Sequence, residues 1–125
     1  MPNNKVKIAI AGIGTVGKGL LDLLQKYKNN KVNLEVSAIA SRRKHKLQGS
    51  IFKKTIFFGD AKDLLQFNDY DILVELIGGD DGVSKKIVFD ALKKKKNVVT
   101  ANKALVSKYW QELHSLKKKN NSNLK

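Results

Sequence analysis

The sequence predicts an α/β domain in which helices cover both faces of a mostly parallel, doubly wound sheet. Short runs of β-branched apolar residues alternate along the chain with segments of helical periodicity, the order that parallel strands with helical crossovers require. The first apolar run leads directly into a glycine-rich turn. The 125 residues, of which 42% are hydrophobic, are enough for a core of their own. We therefore expect one domain over residues 1–125.

The first strand and the first helix are predicted near the amino terminus. Val6–Ala11 is a short β-branched apolar run that ends at Gly12, which is typical of a buried strand. Apolar residues then recur three and four positions apart, which predicts a helix that ends at Asn29 and Asn30. Its predicted buried face consists of Val16, Leu20, Leu23, Leu24 and Tyr27.

The rest of the chain continues the alternation of strands and helices. Further strands are predicted at Leu34–Ala40, Thr55–Phe58, Asp71–Ile77 and Asn97–Thr100. Helical segments are predicted at Asp60–Phe67, where Asp60 is the expected cap, and at Val83–Lys95 and Lys103–Lys118. Asn121–Lys125 is expected to form a turn that leads into another strand.

The junction between the first strand and the first helix carries the most specific motif. Its GxGxxG spacing matches the fingerprint of dinucleotide-binding folds in the position that the fingerprint requires. The first glycine permits the tight turn, the second lets the backbone approach a pyrophosphate, and the third lets the helix pack on the strand. The helix N-terminus then favours the negative charge of the pyrophosphate. The residues are Gly12, Ile13, Gly14, Thr15, Val16 and Gly17.

The end of the second strand indicates which dinucleotide is bound. A site for NAD usually carries a carboxylate there, but Glu35 lies at the opposite end of this strand. Arg42 and Arg43 follow the strand instead, and a guanidinium group can pair with a 2′-phosphate. We therefore expect NADP(H), with NAD possible. Lys44 and Lys46 are weaker candidates, and all four could be ordinary loop cations.

The carboxyl ends of the later strands should line the same crevice. Ile77 and Gly78 would lie beside the cofactor, whereas Asp80 and Asp81 are expected to cap the next helix. After the following strand, Thr100 is succeeded by Asn102 and Lys103, whose donors would face a nicotinamide. Lys103 could polarise a carbonyl group electrostatically, or could simply be an exposed lysine at a helix start.

The net charge of +14 is less informative than its size suggests. The cations are mostly lysines in runs such as Lys93–Lys96 and Lys117–Lys119, beside asparagines. Proteins that read nucleic acids specifically tend to interleave arginines with aromatic residues, which make up only 7% of this chain. We therefore expect solvated lysines, no specific nucleic-acid partner and only weak, salt-sensitive binding of polyanions.

Several other classes of site are excluded or disfavoured. The absence of cysteine excludes disulfide bonds and thiolate metal sites, and His45 and His114 lack the spacing of metal ligands, so no metal is expected. Tyr109 and Trp110 are expected to be packing residues. No apolar run has the length of a membrane span and no signal-peptide pattern is present. A cytoplasmic protein without a membrane partner is expected.

Three motifs together resemble a known family. GIGTVG at Gly12–Gly17, DILVELIGG at Asp71–Gly79 followed by Asp81-Gly82, and VVTANKAL at Val98–Leu105 resemble the nucleotide-binding domain of homoserine dehydrogenase. The resemblance covers residues 5–125, about the first third of a typical family member. It implies a Rossmann-like NAD(P)-binding domain of an oxidoreductase that interconverts homoserine and aspartate 4-semialdehyde in threonine and methionine biosynthesis.

The resemblance also implies roles for individual residues. Arg42 would meet the 2′-phosphate, Gly78 and Thr100 would lie near the nicotinamide ribose, and Lys103 would lie close to the nicotinamide and the substrate. Ile77 stands where many family members have Thr or Ser, so one cofactor hydrogen bond is in question. The residues implied to line the pyrophosphate and ribose are Ile13, Gly14, Thr15 and Val16.

The family's substrate-binding residues, its main catalytic residues and its dimer-forming sheet lie in a following α+β domain. We therefore expect this chain to bind NADP(H) with little or no turnover, and to meet homoserine or aspartate 4-semialdehyde only together with that domain. Two alternatives stay open. One is an inactive nucleotide-binding module that associates with another chain. The other is a different small NADP-dependent reductase domain, against which the ELIGG and TANKA segments argue.

Overall fold

A five-stranded parallel sheet forms the centre of the computed structural model. The model describes residues 5–13, 15–26, 33–42, 47, 49–77, 82–120 and 124–125, with the backbone alone at residues 15 and 16. The strands are β1 (Lys5–Ala11), β2 (Asn33–Ala40), β3 (Ile56–Phe58), β4 (Ile72–Glu75) and β5 (Asn97–Thr100). Their order is β3-β2-β1-β4-β5, and every neighbouring pair is parallel. The predicted doubly wound α/β class is confirmed.

In the described part of the chain, two α-helices and two short 3-10 segments connect the strands, and two further α-helices follow β5. The helices are α1 (Thr15–Gln25), α2 (Val83–Lys93), α3 (Lys103–Lys108) and α4 (Trp110–Asn120). The 3-10 segments are Ser50–Phe52 and Ala61–Gln66. The second of them is the predicted short helical segment, and the side chain of Asp60 caps it by accepting a hydrogen bond from the N–H of Lys62 at 2.9 Å.

Alternate residues of the central strands pack into two separate cores, one on each face of the sheet. Ala9 and Ala11 of β1 face one core, whereas Ile10 faces the other. The first core also holds Ile87 and Leu92 of α2, as predicted, together with buried residues of α3 and α4. The second core packs α1 on the opposite face of the sheet. The two cores therefore differ in composition, since small alanines face one and larger side chains face the other.

The buried face of α1 differs from the prediction at one position. Leu23 is 70% exposed, whereas Leu21 is 3% exposed and packs with Leu24 in the core beneath α1. Leucines flank Asp22 on both sides, so the sequence is compatible with two rotations of α1 about its axis, one that buries Leu21 and one that buries Leu23. The close packing of Gly17 under the turn after β1 selects the rotation that buries Leu21. Tyr27, Asn29 and Asn30 lie outside the described residues.

The helix that was predicted as one unit at Lys103–Lys118 is divided in two. Tyr109 separates α3 from α4 with φ −114° and ψ 27°, outside the helical region. Leu105 of α3 and Leu113 of α4 are both fully buried in the same core. The ring of Tyr109 packs edge-on against Phe89, with 5.8 Å between the centroids, as expected for a packing residue.

Trp110 does not pack as predicted. It is 55% exposed and stacks on His114, with 5.7 Å between the ring centroids. At the end of the chain, Leu124 forms a parallel bridge with Val98, next to β5. The turn predicted before it falls on residues 121–123, outside the described part. Of the described helices, none has the length and apolar character that crossing a bilayer demands.

The packing of α1 gives a paired test. We expect Leu21→Ala to lower the free energy of unfolding by about 2–5 kcal/mol, because it leaves a cavity in the core under α1. Leu23→Ala removes the same atoms from an exposed site and should change it by less than about 0.5 kcal/mol. Urea denaturation of both variants checks this difference. Equal destabilisation by the two substitutions would contradict the observed rotation of α1.

Candidate functional site

The carboxyl ends of four neighbouring strands define a crevice in the sheet. In the sheet register, Ala11 lies between Ala40 and Glu75, and Glu75 lies next to Thr100. The connection after β1 covers one face of the sheet and the connection after β4 covers the other. The strand order therefore reverses between β1 and β4, and this is where open α/β sheets bind their ligands.

Gly12 has a conformation and surroundings that admit only glycine. Its φ is +89°, and a Cβ atom would lie 2.8 Å from Cγ1 and 3.0 Å from the backbone N of Ile77. Its N–H donates to the carbonyl of Ala40 at 2.9 Å, which holds the turn on β2. The turn after β1 thus runs between the ends of β2 and β4, with no side chain of its own at that point.

The third glycine of the motif brings α1 against this turn. A Cβ atom at Gly17 would lie 3.1 Å from the carbonyl oxygen of Gly12, tighter than almost all real contacts. Gly19 is two residues further along α1, and no atom lies within 4 Å of a Cβ placed there. Ile13 is partly buried and packs on the core beneath α1. Gly14 and the side chains of Thr15 and Val16 lie outside the described part.

The residues at the end of β2 lie at the same edge of the sheet. The N–H of Ser41 donates to the carbonyl of Phe58 at 3.0 Å, which fixes the chain as it leaves the strand. Arg42 follows immediately and is exposed. Glu35 lies near the other end of β2, where its carboxylate pairs with the ammonium group of Lys5 at 2.9 Å. The predicted residues Arg43, Lys44 and Lys46 lie outside the described residues.

Two of the predicted residues after β4 and β5 share a cavity. Thr100 and Lys103 line an open depression of about 820 Å³, together with Val106, Trp110 and Leu124. Lys103 is exposed as the first residue of α3. Ile77 is 39% exposed, on the other side of Thr100 from this depression. Gly78 lies outside the described residues.

Asn102 also lines this depression, but it is almost fully buried there. Its side chain is 5% exposed and its Oδ1 accepts a hydrogen bond from the N–H of Leu105 at 3.0 Å, so it caps α3. An asparagine is a favourable N-cap because it satisfies a backbone donor that the helix leaves unpaired. The N-cap residue of α2 is Gly82, which has no side chain with which to cap the helix. The predicted caps, Asp80 and Asp81, lie outside the described residues.

The sequence analysis missed Glu75, which is fully buried at the end of β4. Its carboxylate accepts hydrogen bonds from the N–H of Ile77 at 2.8 Å, from the hydroxyl of Ser84 at 3.3 Å and from the hydroxyl of Thr100. The available signal was a single charged residue inside the apolar run Ile72–Ile77. A carboxylate in such a run is costly unless donors surround it.

This arrangement is suited to bind an anion, and the described residues offer no metal site. The turn at Gly12 packs on Ile77 and leads to the start of α1, where the helix dipole favours a phosphate group. At the cavity beside β5, Lys103 offers an ammonium group. Within the described ranges, no cluster of three or more histidine or carboxylate side chains is placed to hold a metal ion.

Comparison with known proteins points to one family. The family model for the homoserine dehydrogenase NAD-binding domain matches residues 12 to 125. Homoserine dehydrogenase of Corynebacterium glutamicum is 38% identical over 117 residues, which cover 90% of this chain and 26% of that protein. The curated relatives that match are much longer, since the chain spans between 25% and 28% of their lengths.

Solved structures show the same similarity. The S. aureus homoserine dehydrogenase at pH 7.0 superposes with a TM-score of 0.81 at 29% identity, over 99% of this chain and 33% of that one. A hyperthermophilic archaeal homoserine dehydrogenase in complex with NADPH superposes with a TM-score of 0.76 at 25% identity. That match covers 96% of this chain and 43% of the archaeal chain.

The glycines of the turn and of α1 give a matched pair of substitutions. We expect Gly12→Ala to lower the free energy of unfolding by about 1–3 kcal/mol, because the added Cβ meets Ile77 and the positive φ is strained. Gly19→Ala should raise it by about 0.5–1 kcal/mol, since alanine is the better helix former and the site is open. Both substitutions restrict the unfolded chain equally. Urea denaturation measures both, and effects of the same sign would contradict the described turn.

Proposed function

Because the chain belongs to the homoserine dehydrogenase NAD-binding domain family, we propose that it binds NADP(H) at the carboxyl edge of its sheet. The observation that carries the proposal is the turn at Gly12, which packs so closely on Ile77 that only glycine fits. This turn holds the start of α1 at the carboxyl edge of the sheet, where a helix N-terminus favours the charge of a pyrophosphate group. When bound, the cofactor supplies or accepts the hydride.

The proposed pyrophosphate and ribose contacts come from the glycine-rich turn and the start of α1, and the proposed adenosine contacts come from the end of β2. Arg42 is exposed beside this crevice, and its guanidinium group is suited to pair with a 2′-phosphate. Arg43 is proposed as a second contact. The NADPH complex of the archaeal relative supports NADP(H), and NAD stays possible. The turn residues concerned are Gly12, Ile13, Gly14, Thr15, Val16 and Gly17.

The nicotinamide end of the cofactor is proposed to lie at the ends of β4 and β5. Ile77, Gly78 and Thr100 would border the nicotinamide and its ribose. Lys103 is exposed on the same cavity as Thr100, which leaves its ammonium group accessible to a ligand. We propose Lys103 as the catalytic candidate of this chain, since a cation beside the substrate oxygen polarises a carbonyl group.

The reaction proposed for the complete enzyme is the interconversion of homoserine and aspartate 4-semialdehyde. Hydride transfer requires the reacting carbon to be held within about 3–3.5 Å of the nicotinamide. The chain corresponds to about a quarter of the length of its curated relatives. We therefore propose that it supplies the nucleotide-binding part in the cytoplasm, and that residues outside the 125 hold the substrate and form the family's oligomer. Its lysine surface is proposed to have no specific nucleic-acid partner.

Titration of the chain with NADPH and with NADH tests the cofactor proposal. We expect Arg42→Ala to weaken NADPH binding by about 10- to 100-fold, because a charge-assisted contact to the 2′-phosphate is lost, and to leave NADH binding unchanged. Lys93→Ala is the matched control, since it removes one exposed positive charge at the far end of α2. Equal weakening of NADPH by the two variants would reduce the role of Arg42 to general charge.

A separate assay tests whether the 125-residue chain binds the cofactor without catalysing the reaction. We expect the purified 125-residue chain to bind NADPH but to form no NADPH from homoserine and NADP, because the chain alone does not hold the substrate against the nicotinamide. NADPH fluorescence follows both binding and turnover in one experiment. Homoserine-dependent formation of NADPH by the purified chain would overturn this part of the proposal.

A further inference from the structure

The buried carboxylate of Glu75 lies beneath the crevice and out of reach of any ligand. Glu75 is the last residue of β4, between Ala11 of β1 and Thr100 of β5 in the sheet register. Its side chain lies on the α2 side of the sheet with Leu73, and its exposure is 0%. A group so placed cannot contact a cofactor, but it contacts three of the segments that border the site.

Each segment offers the carboxylate a hydrogen-bond donor. One oxygen accepts from the N–H of Ile77 at 2.8 Å and from the hydroxyl of Ser84, in the first turn of α2, at 3.3 Å. The other oxygen accepts from the hydroxyl of Thr100. The oxygen of that hydroxyl accepts in turn from the N–H of Asn102 at 2.9 Å, so the contact extends to the cap of α3.

The backbone of Ile77 transmits this constraint to the glycine-rich turn. The N–H that Glu75 holds belongs to the residue that leaves Gly12 no room for a Cβ atom. Ala101 is held as well, because its N–H donates to the carbonyl of Glu75 at 3.1 Å. The side chain and the backbone of one residue therefore fix the chain after β4 and after β5 relative to the turn after β1.

We propose that Glu75 is a positioning residue for the nicotinamide half of the cofactor. The inference rests on the proposed function, because it assumes that NADP(H) binds at this edge of the sheet. Glu75 sets the placement of Ile77 and Thr100, which border the nicotinamide end. The adenosine end is bordered by Arg42 after β2, a strand that β1 separates from β4 in the sheet. Loss of the carboxylate should therefore affect one half of the cofactor.

Glu75→Gln tests this selectivity, because it keeps the shape and exchanges one acceptor oxygen for an NH2 donor. If that group faces Ile77, the N–H of Ile77 loses its acceptor. If it faces Thr100, the hydroxyl of Thr100 accepts from it and can no longer donate to the side chain at position 75. We expect NADPH to bind about 10-fold more weakly. Adenosine 2′,5′-bisphosphate, which lacks the nicotinamide half, should bind as it does to the parent chain. Calorimetric titration measures both ligands.

The matched control is Glu112→Gln, the same chemical change at an exposed position of α4, which should alter neither affinity. A second variant, Ser84→Ala, removes one donor to Glu75 from a residue that is not part of the proposed site. It should weaken NADPH binding about 3-fold without affecting the bisphosphate. Circular dichroism establishes that each variant folds, and if Glu75→Gln does not fold, Ser84→Ala decides the question.

The outcomes separate this inference from the proposed function. Selective weakening of NADPH supports Glu75 as a positioning residue. Equal weakening of both ligands, or no change in either, shows a purely structural role and overturns the inference while cofactor binding by the parent chain stands. If the parent chain binds neither ligand, the proposed function and this inference are overturned together.

Discussion

A buried carboxylate requires hydrogen-bond donors to replace water. In this protein Glu75 accepts from the N–H of Ile77 after β4, from the hydroxyl of Ser84 in α2 and from the hydroxyl of Thr100 at the end of β5. Removing a partner takes a hydrogen bond from a buried charge, which typically costs about 1–3 kcal/mol. The carboxyl edge of the sheet thus has a defined geometry before any ligand arrives.

The glycine-rich turn depends on the same geometry because it packs against the chain after β4. Gly12 passes so close to Ile77 that a shift of the chain after β4 would displace the turn, and Gly17 holds α1 against the carbonyl of Gly12. The start of α1 is therefore fixed relative to the ends of both β1 and β4. A phosphate site built from backbone N–H groups needs such rigidity, because its donors have no side chains with which to adapt.

Sequence patterns were sufficient for features that depend on local chemistry. The strand at Val6–Ala11, the face of α2 and the cap at Asp60 follow from residue type and spacing, and the structure confirms them. The errors arose where tertiary contacts decide. Either Leu21 or Leu23 is compatible with the core by spacing, and the packing of Gly17 favours the rotation of α1 that buries Leu21. Tyr109 interrupts a helical pattern that is continuous in the sequence. The hydroxyl partners of Glu75 lie 9 and 25 residues along the chain, so spacing alone could not identify them.

Charge and geometry contribute differently to nucleotide recognition in such a chain. The net charge of +14 attracts any polyanion and raises the rate of association with it. This attraction weakens as salt is added, because ions screen it. It cannot distinguish NADPH from NADH by more than the attraction of one further phosphate. Discrimination requires a donor set at a fixed place, such as the planar guanidinium of Arg42 where the chain leaves β2. We therefore expect the lysines to raise the rate at which any anion associates, and the residues at the ends of the strands to decide which nucleotide is bound.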